Sequence, residues 1–266
     1  MTLPVSVQII SLNEEPNIQE CLEHVRANRP QEIVVIDGGS SDNTVSLAQQ
    51  FGALIIHAER LGRGNSRRLG YMQTKMPYVA LLSADDRIED GWLTSMLAEL
   101  HRGSYAALQG SLRIKNPSNF WERGWEEYYV ESVRPQSDVK MIGHPALYRT
   151  DALRGGPSDI SHEHEDTQMS VSFEKRGLRQ GIFSPTSRRT CPATWSENRA
   201  KWRSYGAGYR SFIRTHPDRR TSIYKHIFWT IPITRGWRPV ARGKLSQPVW
   251  ALLMSIQIWI GFFAEN

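Results

Sequence analysis

The stretch EIVVIDGGSSDNT, residues 32–44, decides the fold of this 266-residue chain. Its first half is a β-branched apolar run, which is typical of a buried strand, and its glycines and small polar residues are typical of a turn. Asp42, Asn43 and Thr44 then begin a helical pattern that ends at Gly52. The stretch therefore predicts a strand, a loop and a helix, with the loop leaving the carboxyl end of the strand.

The same alternation extends on both sides of this stretch. An apolar run at 5–12 predicts a strand, and helical spacing at 16–27 predicts the helix that joins it to the strand at 32–36. Two successive strand–helix–strand units predict a parallel sheet. Further strands are predicted at 53–57, 78–82 and 141–148, and further helices at 66–73, 92–100 and 166–176.

Three loops leave carboxyl ends of the predicted strands, at residues 11–15, 37–42 and 83–87. Ligands of open α/β sheets bind beyond this edge. Each loop carries polar or acidic side chains, so the sequence predicts a nucleotide site with a divalent ion there.

The adjacent acids Asp85 and Asp86 are the candidate metal ligands. Hard carboxylate oxygens on a short loop suit Mg²⁺ or Mn²⁺ shared with a diphosphate, because Mg²⁺ keeps several waters and takes only one or two carboxylates. The alternative is an ordinary Asp-rich turn.

Two other acidic positions allow both a functional and a structural interpretation. Asp37 could accept hydrogen bonds from a base or ribose while the glycines after it let the backbone approach a ligand, or it could belong to a plain helix-start turn. Glu165 and Asp166 precede a helix, where a carboxylate can serve as a general base or as a helix cap.

The segment GRGNSRRLG at residues 62–70 is similar to a dinucleotide-binding fingerprint. It follows the third strand, and Arg67 stands at the third glycine position, so we reject that interpretation. Arg67 and Arg68 near a helix start could instead face a diphosphate.

The formal net charge of +6 is unevenly distributed. Residues 186–244 hold fourteen Lys and Arg against two acids, and six of the nine tryptophans lie at or beyond position 195. Such a basic aromatic segment suits phosphorylated partners, anionic lipid or nucleic acid. With only Cys21 and Cys191 no disulfide framework is possible, and no secretory signal is visible, so we expect a cytoplasmic protein.

In order and spacing, these pieces resemble the family 2 glycosyltransferases of the GT-A fold over residues 5–181. The opening VQIISLNEE at 7–15 is similar to the family's "IIPxYNE", and residues 32–44 are close to "EIIVVDGGSTDGT". LLSADD at 81–86 resembles "FLDADD", residues 64–70 resemble "GxxxARNxG", and EDT at 165–167 follows the family's later "EDtdl".

The resemblance implies a Rossmann-like α/β fold: a mostly parallel sheet flanked by helices over residues 1–185, with a nucleotide-sugar half up to about residue 100 and an acceptor half from 101 to 185. It implies that Asp166 is the catalytic base of an inverting transfer, and that Asp85 contacts the metal and the diphosphate. The donor-binding candidates are Ser11, Asn13, Glu14, Asp37, Gly39, Ser40, Asp85 and Asp86. Arg67, which could face the diphosphate, is added to them.

The sequence departs from the family pattern at four positions. Ser83 replaces the first Asp of the usual Asp-x-Asp, which leaves one metal carboxylate fewer. Ser11 replaces Pro and Leu12 replaces Tyr in the opening loop, and Arg68 replaces Asn. These departures bear on which donor is bound more than on the reaction class.

Residues 186–266 form a basic, aromatic helical extension, part of which loosely resembles a "QxxRW" segment of membrane-associated members. Three residues are candidates for contacting an acceptor or a lipid-linked phosphate: Glu165, Arg199 and Trp202. The apolar segment 249–263 suggests an interfacial or re-entrant helix, with a spanning helix and a core helix as alternatives.

The sequence thus favours a metal-dependent, inverting glycosyltransferase, peripheral to the cytoplasmic membrane face, that moves a sugar from a nucleoside-diphosphate sugar to a saccharide or lipid-linked acceptor. A nucleotidyltransferase acting on a sugar phosphate is the alternative enzyme class, since it also uses acidic pairs with Mg²⁺. A non-enzymatic module that binds nucleic acid or a membrane is the third hypothesis. We expect no nucleic-acid partner, because that hypothesis leaves the acidic loops unexplained.

Overall fold

The computed structural model describes residues 2–160 and 164–264. The strands are β1 Leu3–Ser11, β2 Pro30–Asp37, β3 Leu54–His57, β4 Tyr78–Ser83, β5 Asp86–Ile88, β6 Ala107–Ile114, β7 Ala146–Arg149 and β8 Gln180–Arg189. The α-helices are α1 Glu15–Ala27, α2 Thr44–Gln50, α3 Gly62–Gln73, α4 Trp92–Arg102, α5 Phe120–Ser132, α6 Thr150–Arg154, α7 Glu165–Lys175, α8 Trp195–Thr215, α9 Arg220–Lys225 and α10 Gln247–Phe263. A π-helix, His226–Arg235, and two short 3-10 helices, Pro217–Arg219 and Arg238–Arg242, complete them.

The strands form one mixed sheet in the order β3-β2-β1-β4-β7-β6-β8-β5. Strands β3, β2, β1 and β4 are parallel, as the two predicted strand–helix–strand units require. Strand β7 pairs antiparallel with both β4 and β6, and β5 pairs antiparallel with β8. The sheet is therefore parallel where the helical crossovers lie, and β7 runs antiparallel to both of its neighbours.

Both faces of the sheet are covered, which explains the near-continuous apolar strands. Along β4, Leu82 joins the core cluster that contains residues of α1 and α4, whereas its neighbour Leu81 joins the cluster that contains residues of α3, α6 and α7. Successive strand side chains point to opposite faces, so β4 is held from both sides and its carboxyl end has a fixed position.

The chain divides into two compact units. The first comprises residues 1–112 and 133–189 and contains the sheet apart from the end of β6. The second comprises residues 113–132 and 190–266. Helix α5 thus groups with the C-terminal helices, whereas the sequence interpretation assigned residues 101–185 to the catalytic domain.

An aromatic cluster forms the core of the second unit. Trp202 of α8 is fully buried, and its ring lies 5.4 Å from Trp250 of α10 and 6.2 Å from Trp125 of α5. The indole N–H of Trp125 donates to the Asn198 side chain at 2.7 Å. The tryptophans of the basic segment are therefore partly structural.

Helices α8 and α10 cross at a pair of glycines. A Cβ atom on Gly206 would lie 2.1 Å from the Ile258 carbonyl oxygen, and one on Gly261 would lie 2.0 Å from that of Arg203. The apolar segment predicted at 249–263 is thus a helix with one face buried on α8. No helix in the described parts of the chain combines the length and the apolar character needed to span a membrane.

We predict that Gly206→Ala destabilises the second unit by about 2 kcal/mol. Overpacking against backbone atoms costs about 3 kcal/mol, and the better helix propensity of Ala recovers about 1 kcal/mol. Urea unfolding followed by tryptophan fluorescence measures this loss. Ser211→Ala on the exposed side of α8 is the control and should change stability little; an equally small effect of Gly206→Ala would contradict the close crossing.

Candidate active site

The carboxyl ends of the parallel strands bring the predicted loops to one edge. In the strand register Ser11 of β1 lies opposite Asp37 of β2, and Ile10 lies opposite Ser83 of β4. The Gly38 N–H donates to the Ser11 carbonyl at 2.9 Å, and the Ala84 N–H donates to that of Ile10 at 3.2 Å. These bonds hold the three loops side by side.

Asp37 organises the loop that follows it. Its carboxylate accepts from the backbone N–H groups of Gly39 and Ser40, both at 3.0 Å, and from the Ser40 hydroxyl at 2.6 Å. Gly39 has a φ of +100°, and Glu59 lies over the position that a Cβ would occupy. The Asp37 carboxylate is almost fully buried and is already hydrogen-bonded by its own loop.

The loop after β1 is bonded to the loop after β2. Asn13, whose φ is +54°, donates its N–H to the Ser40 hydroxyl at 2.9 Å and accepts the Ser41 N–H on Oδ1 at 2.9 Å. The Glu14 N–H donates to Thr44 Oγ1 at 2.8 Å. Burial raises the pKa of the Glu14 carboxyl, and the nearby Asp85 charge adds to this rise.

The two adjacent acids after β4 have different surroundings. Asp86 is fully buried, accepts the Ser83 N–H at 2.8 Å and binds the Arg189 guanidinium at 2.6 and 3.0 Å. Burial raises the pKa of Asp86, although Arg189 opposes the rise. Asp85 is half-buried and has no hydrogen-bond or ion-pair partner within residues 2–160 and 164–264. Asp85 is therefore the acid at this strand end that is available to a ligand.

Arg67 of α3 connects this edge to the start of α7. It is almost fully buried; its Nη1 donates to the Leu82 carbonyl at 3.0 Å and its Nη2 to the Ser83 hydroxyl at 3.4 Å. Its Nε lies 3.5 Å from a Glu165 carboxylate oxygen. One guanidinium thus holds the end of β4 and the first residue of α7, and it is not turned outward to a diphosphate as the sequence suggested.

Close packing of α3 on the α7 start reinforces this link. A Cβ on Gly64 would lie 2.7 Å from the Ile160 side chain and 3.0 Å from the Glu165 Cβ. The Asn65 side chain accepts the Ile160 N–H at 3.2 Å. Any side chain larger than hydrogen at Gly64 would push these elements apart.

Asp166, the second residue of α7, has a carboxyl group whose pKa is raised by its surroundings. Burial raises its pKa, and the like charge of Glu165 raises it further, while His164 and the Thr167 N–H act in the opposite direction. Its Oδ1 accepts the Thr167 N–H at 2.7 Å. A carboxylate with a raised pKa accepts protons more readily, which is the property that a general base requires.

The sequence matches the model of the glycosyl transferase family 2 over residues 6–161, more than half of the chain. The chain belongs to this family. A mannosyltransferase from Pyrobaculum calidifontis, solved in complex with GDP-Man and Mn²⁺, has the same fold with a TM-score of 0.68 and 16% identity, over 100% of this chain and 89% of that one. TarS of S. aureus, solved with UDP-GlcNAc, aligns with a TM-score of 0.57 and 16% identity, over 97% and 81% of the two chains. The α/β GT-A fold with a C-terminal helical extension is thereby confirmed.

Curated relatives share parts of the sequence. An uncharacterized glycosyltransferase of Mycobacterium tuberculosis is 31% identical over 38% of this chain and 45% of its own. A lipopolysaccharide core biosynthesis glycosyltransferase of Rhizobium meliloti is 31% identical over 53% and 51% of the two chains. The poly-beta-1,6-N-acetyl-D-glucosamine synthase of Staphylococcus epidermidis is 28% identical over 84% of this chain and 60% of its own. The chain thus matches about half the length of these relatives.

A pocket opens beside Asp166 in this family 2 chain. It is lined by Gly64, Arg67, Tyr71, Leu81, His144, Tyr148, Leu153, Ile160, Glu165, Asp166 and Met169. In the described part of the chain, both His144 ring nitrogens, Arg67 Nε and the Tyr71 hydroxyl lack a hydrogen-bond partner. Burial raises the pKa of Tyr71 to about 12 and lowers that of His144, which Arg67 and Arg189 lower further, so His144 is neutral at pH 7. The lining thus combines the neutral His144 and Tyr71 side chains with the Arg67 cation and the carboxyl groups of Glu165 and Asp166.

His144 and Arg189 were not identified as site residues from the sequence. His144 lies in the segment 141–148 that was predicted as a strand, two residues before β7 begins. Arg189 was counted in the basic extension, although it ends β8 and pairs with Asp86. The alternation of buried and exposed residues that marks a strand is weak along β8. No local signal identifies either residue.

The two candidates in the second unit have different surroundings. Arg199 is exposed on α8, where a phosphate could reach it. Trp202 is fully buried among Trp121, Trp125, Trp195 and Trp250. This burial contradicts the prediction that Trp202 contacts a lipid phosphate. The sequence misled because aromatic residues spaced along a helix can mark its buried face as readily as a membrane-contacting face.

We predict that Arg67→Met lowers the free energy of unfolding by about 3 kcal/mol, because it leaves the Glu165 charge and two acceptors of β4 without their buried cation. Chemical denaturation measures the change. Arg63→Met removes an exposed arginine one turn earlier on α3 and should cost less than about 0.5 kcal/mol. Equal effects of both substitutions would contradict the bridging role of Arg67.

Proposed function

We propose that this chain transfers a sugar from a nucleoside-diphosphate sugar to a hydroxyl of a saccharide or lipid-linked acceptor, with inversion at the anomeric carbon. The observation that carries the proposal is the link through Arg67, which brings the Asp85 loop and the start of α7 against one guanidinium. Membership of glycosyl transferase family 2 supports the reaction class, and structural relatives were solved with GDP-Man and with UDP-GlcNAc.

The donor's nucleotide is assigned to the edge formed by the loops after β1 and β2. The mutual hydrogen bonds of Asn13, Ser40 and Asp37 make this edge rigid before any ligand arrives, which reduces the entropy lost on binding. Glycine at position 39 leaves backbone groups accessible to a base or ribose. In this proposal Ser11 and Glu14 line the same edge.

A divalent cation, Mg²⁺ or Mn²⁺, is assigned to Asp85. Its carboxylate is a hard oxygen ligand without a protein partner, and no group of three or more potential metal-binding His, Cys, Asp or Glu side chains occurs in the described residues. Such a site suits an ion that takes one or two carboxylates and completes its shell with diphosphate oxygens and water. When bound, the ion would offset the negative charge that builds on the departing nucleoside diphosphate.

The acceptor is assigned to the pocket beside Asp166. Asp166 takes the proton from the acceptor hydroxyl, and the oxygen then forms its bond to the anomeric carbon while the bond from that carbon to the diphosphate oxygen breaks. A single displacement of this kind inverts the configuration. Of the adjacent acids Glu165 and Asp166, Glu165 pairs with Arg67, which leaves the Asp166 carboxylate available to the acceptor.

The cellular location is also part of the proposal. A lipid-linked acceptor would place the chain at the cytoplasmic face of a membrane, and the relative from Rhizobium meliloti is named for lipopolysaccharide core biosynthesis. The basic, aromatic character of residues 186–244 supports this location.

We predict that Asp85→Asn and Asp166→Asn each lower the transfer rate at least about 100-fold, because each removes a charge that the reaction needs. Release of nucleoside diphosphate from a panel of UDP- and GDP-sugars with Mn²⁺ measures the rate. Asp90→Asn, in the exposed turn after β5, is the control and should retain full activity. Unchanged turnover in both site variants would contradict the proposal. Pyrophosphate release from a nucleoside triphosphate would also contradict it and would favour nucleotidyl transfer.

We predict further that Glu165→Gln moves the acidic limb of the kcat/KM profile to lower pH. Activity requires ionised Asp166 and therefore falls as the pH drops through its pKa. Burial holds this pKa above the ordinary value, and the Glu165 charge adds to the rise, so removing that charge lowers the pKa. A limb that stays in place or moves to higher pH, with Asp90→Asn as reference, would rule out Asp166 as the base.

A further inference from the structure

Helix α10 carries an exposed apolar stripe in addition to its buried face. The stripe side chains are between 36% and 64% exposed: Val249, Leu252, Ile256, Ile260 and Phe263. Their spacing of three or four residues places them along one side of the helix. Trp250, Met254 and Ile258 occupy the buried side, and residues 247–263 include no charged side chain. The helix is therefore apolar on two sides, one buried within the second unit and one largely exposed.

The π-helix and the residue after its C-cap glycine extend this surface. Phe228, Trp229, Ile233 and Trp237 are exposed there, and the Phe228 ring lies 5.4 Å from Trp259 and 6.2 Å from Phe263 of α10. We call the nine exposed side chains of α10 and of this segment the apolar face. The Phe228 contact joins the two sets of side chains, and exposed apolar patches of this kind usually mark an interaction site.

The chain around the apolar face is basic. Residues 214–244 contain eight Lys and Arg and one acid, Asp218, which pairs with Arg219. Arg214, Lys225 and Arg238 have no acidic partner in the described residues, and Arg238 directly follows the exposed Trp237. Cations beside an apolar surface complement a layer of anionic headgroups over a hydrocarbon interior.

The same charges argue against a second copy of the chain as the occupant. Two apolar faces brought together would also bring their unpaired cations together, and repulsion would oppose the contact. The exposed tryptophans suit a bilayer instead, because indole rings favour the depth of the headgroups.

We propose that the apolar face docks on an anionic lipid bilayer with α10 lying in the plane of the membrane. Because the opposite side of α10 is held on α8 at Gly206 and Gly261, only its exposed half can enter lipid. This inference deepens the proposed function by naming the surface through which the chain reaches a lipid-linked acceptor. It moves the lipid contact from Trp202 to the apolar face.

Vesicle flotation of the full chain tests the proposal without requiring turnover. Binding is expected to vesicles that contain phosphatidylglycerol and to be weaker with phosphatidylcholine alone. The double variant Leu252→Gln, Ile256→Gln should bind at least about tenfold more weakly, because it removes apolar area from the lipid contact. Leu54→Gln changes an equally exposed leucine of β3 and should bind as the unaltered chain does.

A charge variant tests the role of the cations. Lys225→Glu with Arg238→Glu should abolish the preference for phosphatidylglycerol, whereas Lys75→Glu, in the exposed turn after α3, should not. Brominated lipids should quench tryptophan emission of the unaltered chain, and Trp237→Phe should reduce the quenched fraction. This readout stands even if a glutamine variant fails to fold.

Absence of vesicle binding by the folded, unaltered chain would overturn the inference. Equal binding by the apolar-face variant and the Leu54 variant would do the same. Self-association in sedimentation that the Leu252→Gln, Ile256→Gln variant abolishes, without vesicle binding, would assign the face to a second copy. Because none of these assays uses donor or acceptor, their failure leaves the sugar-transfer proposal to be tested on its own.

Discussion

The site depends on one buried cation, the guanidinium of Arg67. Burial lowers the pKa of this arginine, and the Glu165 carboxylate is the main opposing influence. The same group bonds the end of β4 and faces the first residue of α7, so the end of β4 and the start of α7 share one anchor. A charge in this position is tolerated only because acceptors surround it. The loss of any acceptor would leave part of the desolvation cost of the guanidinium uncompensated.

Four aspartates of the candidate site have different surroundings, which suit them to different purposes. Asp37 and Asp86 are buried and bonded by protein donors, so they hold loops in place. Asp85 has no protein partner in the described parts of the chain and suits a cation. Asp166 has a raised pKa and suits proton removal. In the proposed reaction, charge stabilisation at Asp85 and proton removal at Asp166 are separate, so each carboxylate can have its own environment.

The first half of the fold was predictable because its signals are local. Strands β1, β2, β3 and β4 are apolar runs bounded by glycine or polar turns, and the predicted helices between them exist. Strands β5, β6 and β8 and helix α5 were not predicted, since β5 has three residues and β8 is half polar and partly exposed. The positions of Asp37 and Asp85 at one edge of the sheet could be predicted from the order of the strands and loops. Burial of Arg67, the Asp86 pair with Arg189 and the orphaned His144 ring depend on contacts between distant residues, which periodicity does not encode.

Crystals grown with a non-hydrolysable nucleoside-diphosphate sugar and Mn²⁺ test the central claim most directly. We expect anomalous density for one Mn²⁺ ion at the Asp85 carboxylate and the diphosphate, with the sugar lying between that ion and Asp166. We also expect an unmoved Arg67 bridge between Ser83 and Glu165. A donor bound away from the ends of β1, β2 and β4, or an anomeric carbon out of reach of any acceptor placed against Asp166, would contradict the claim.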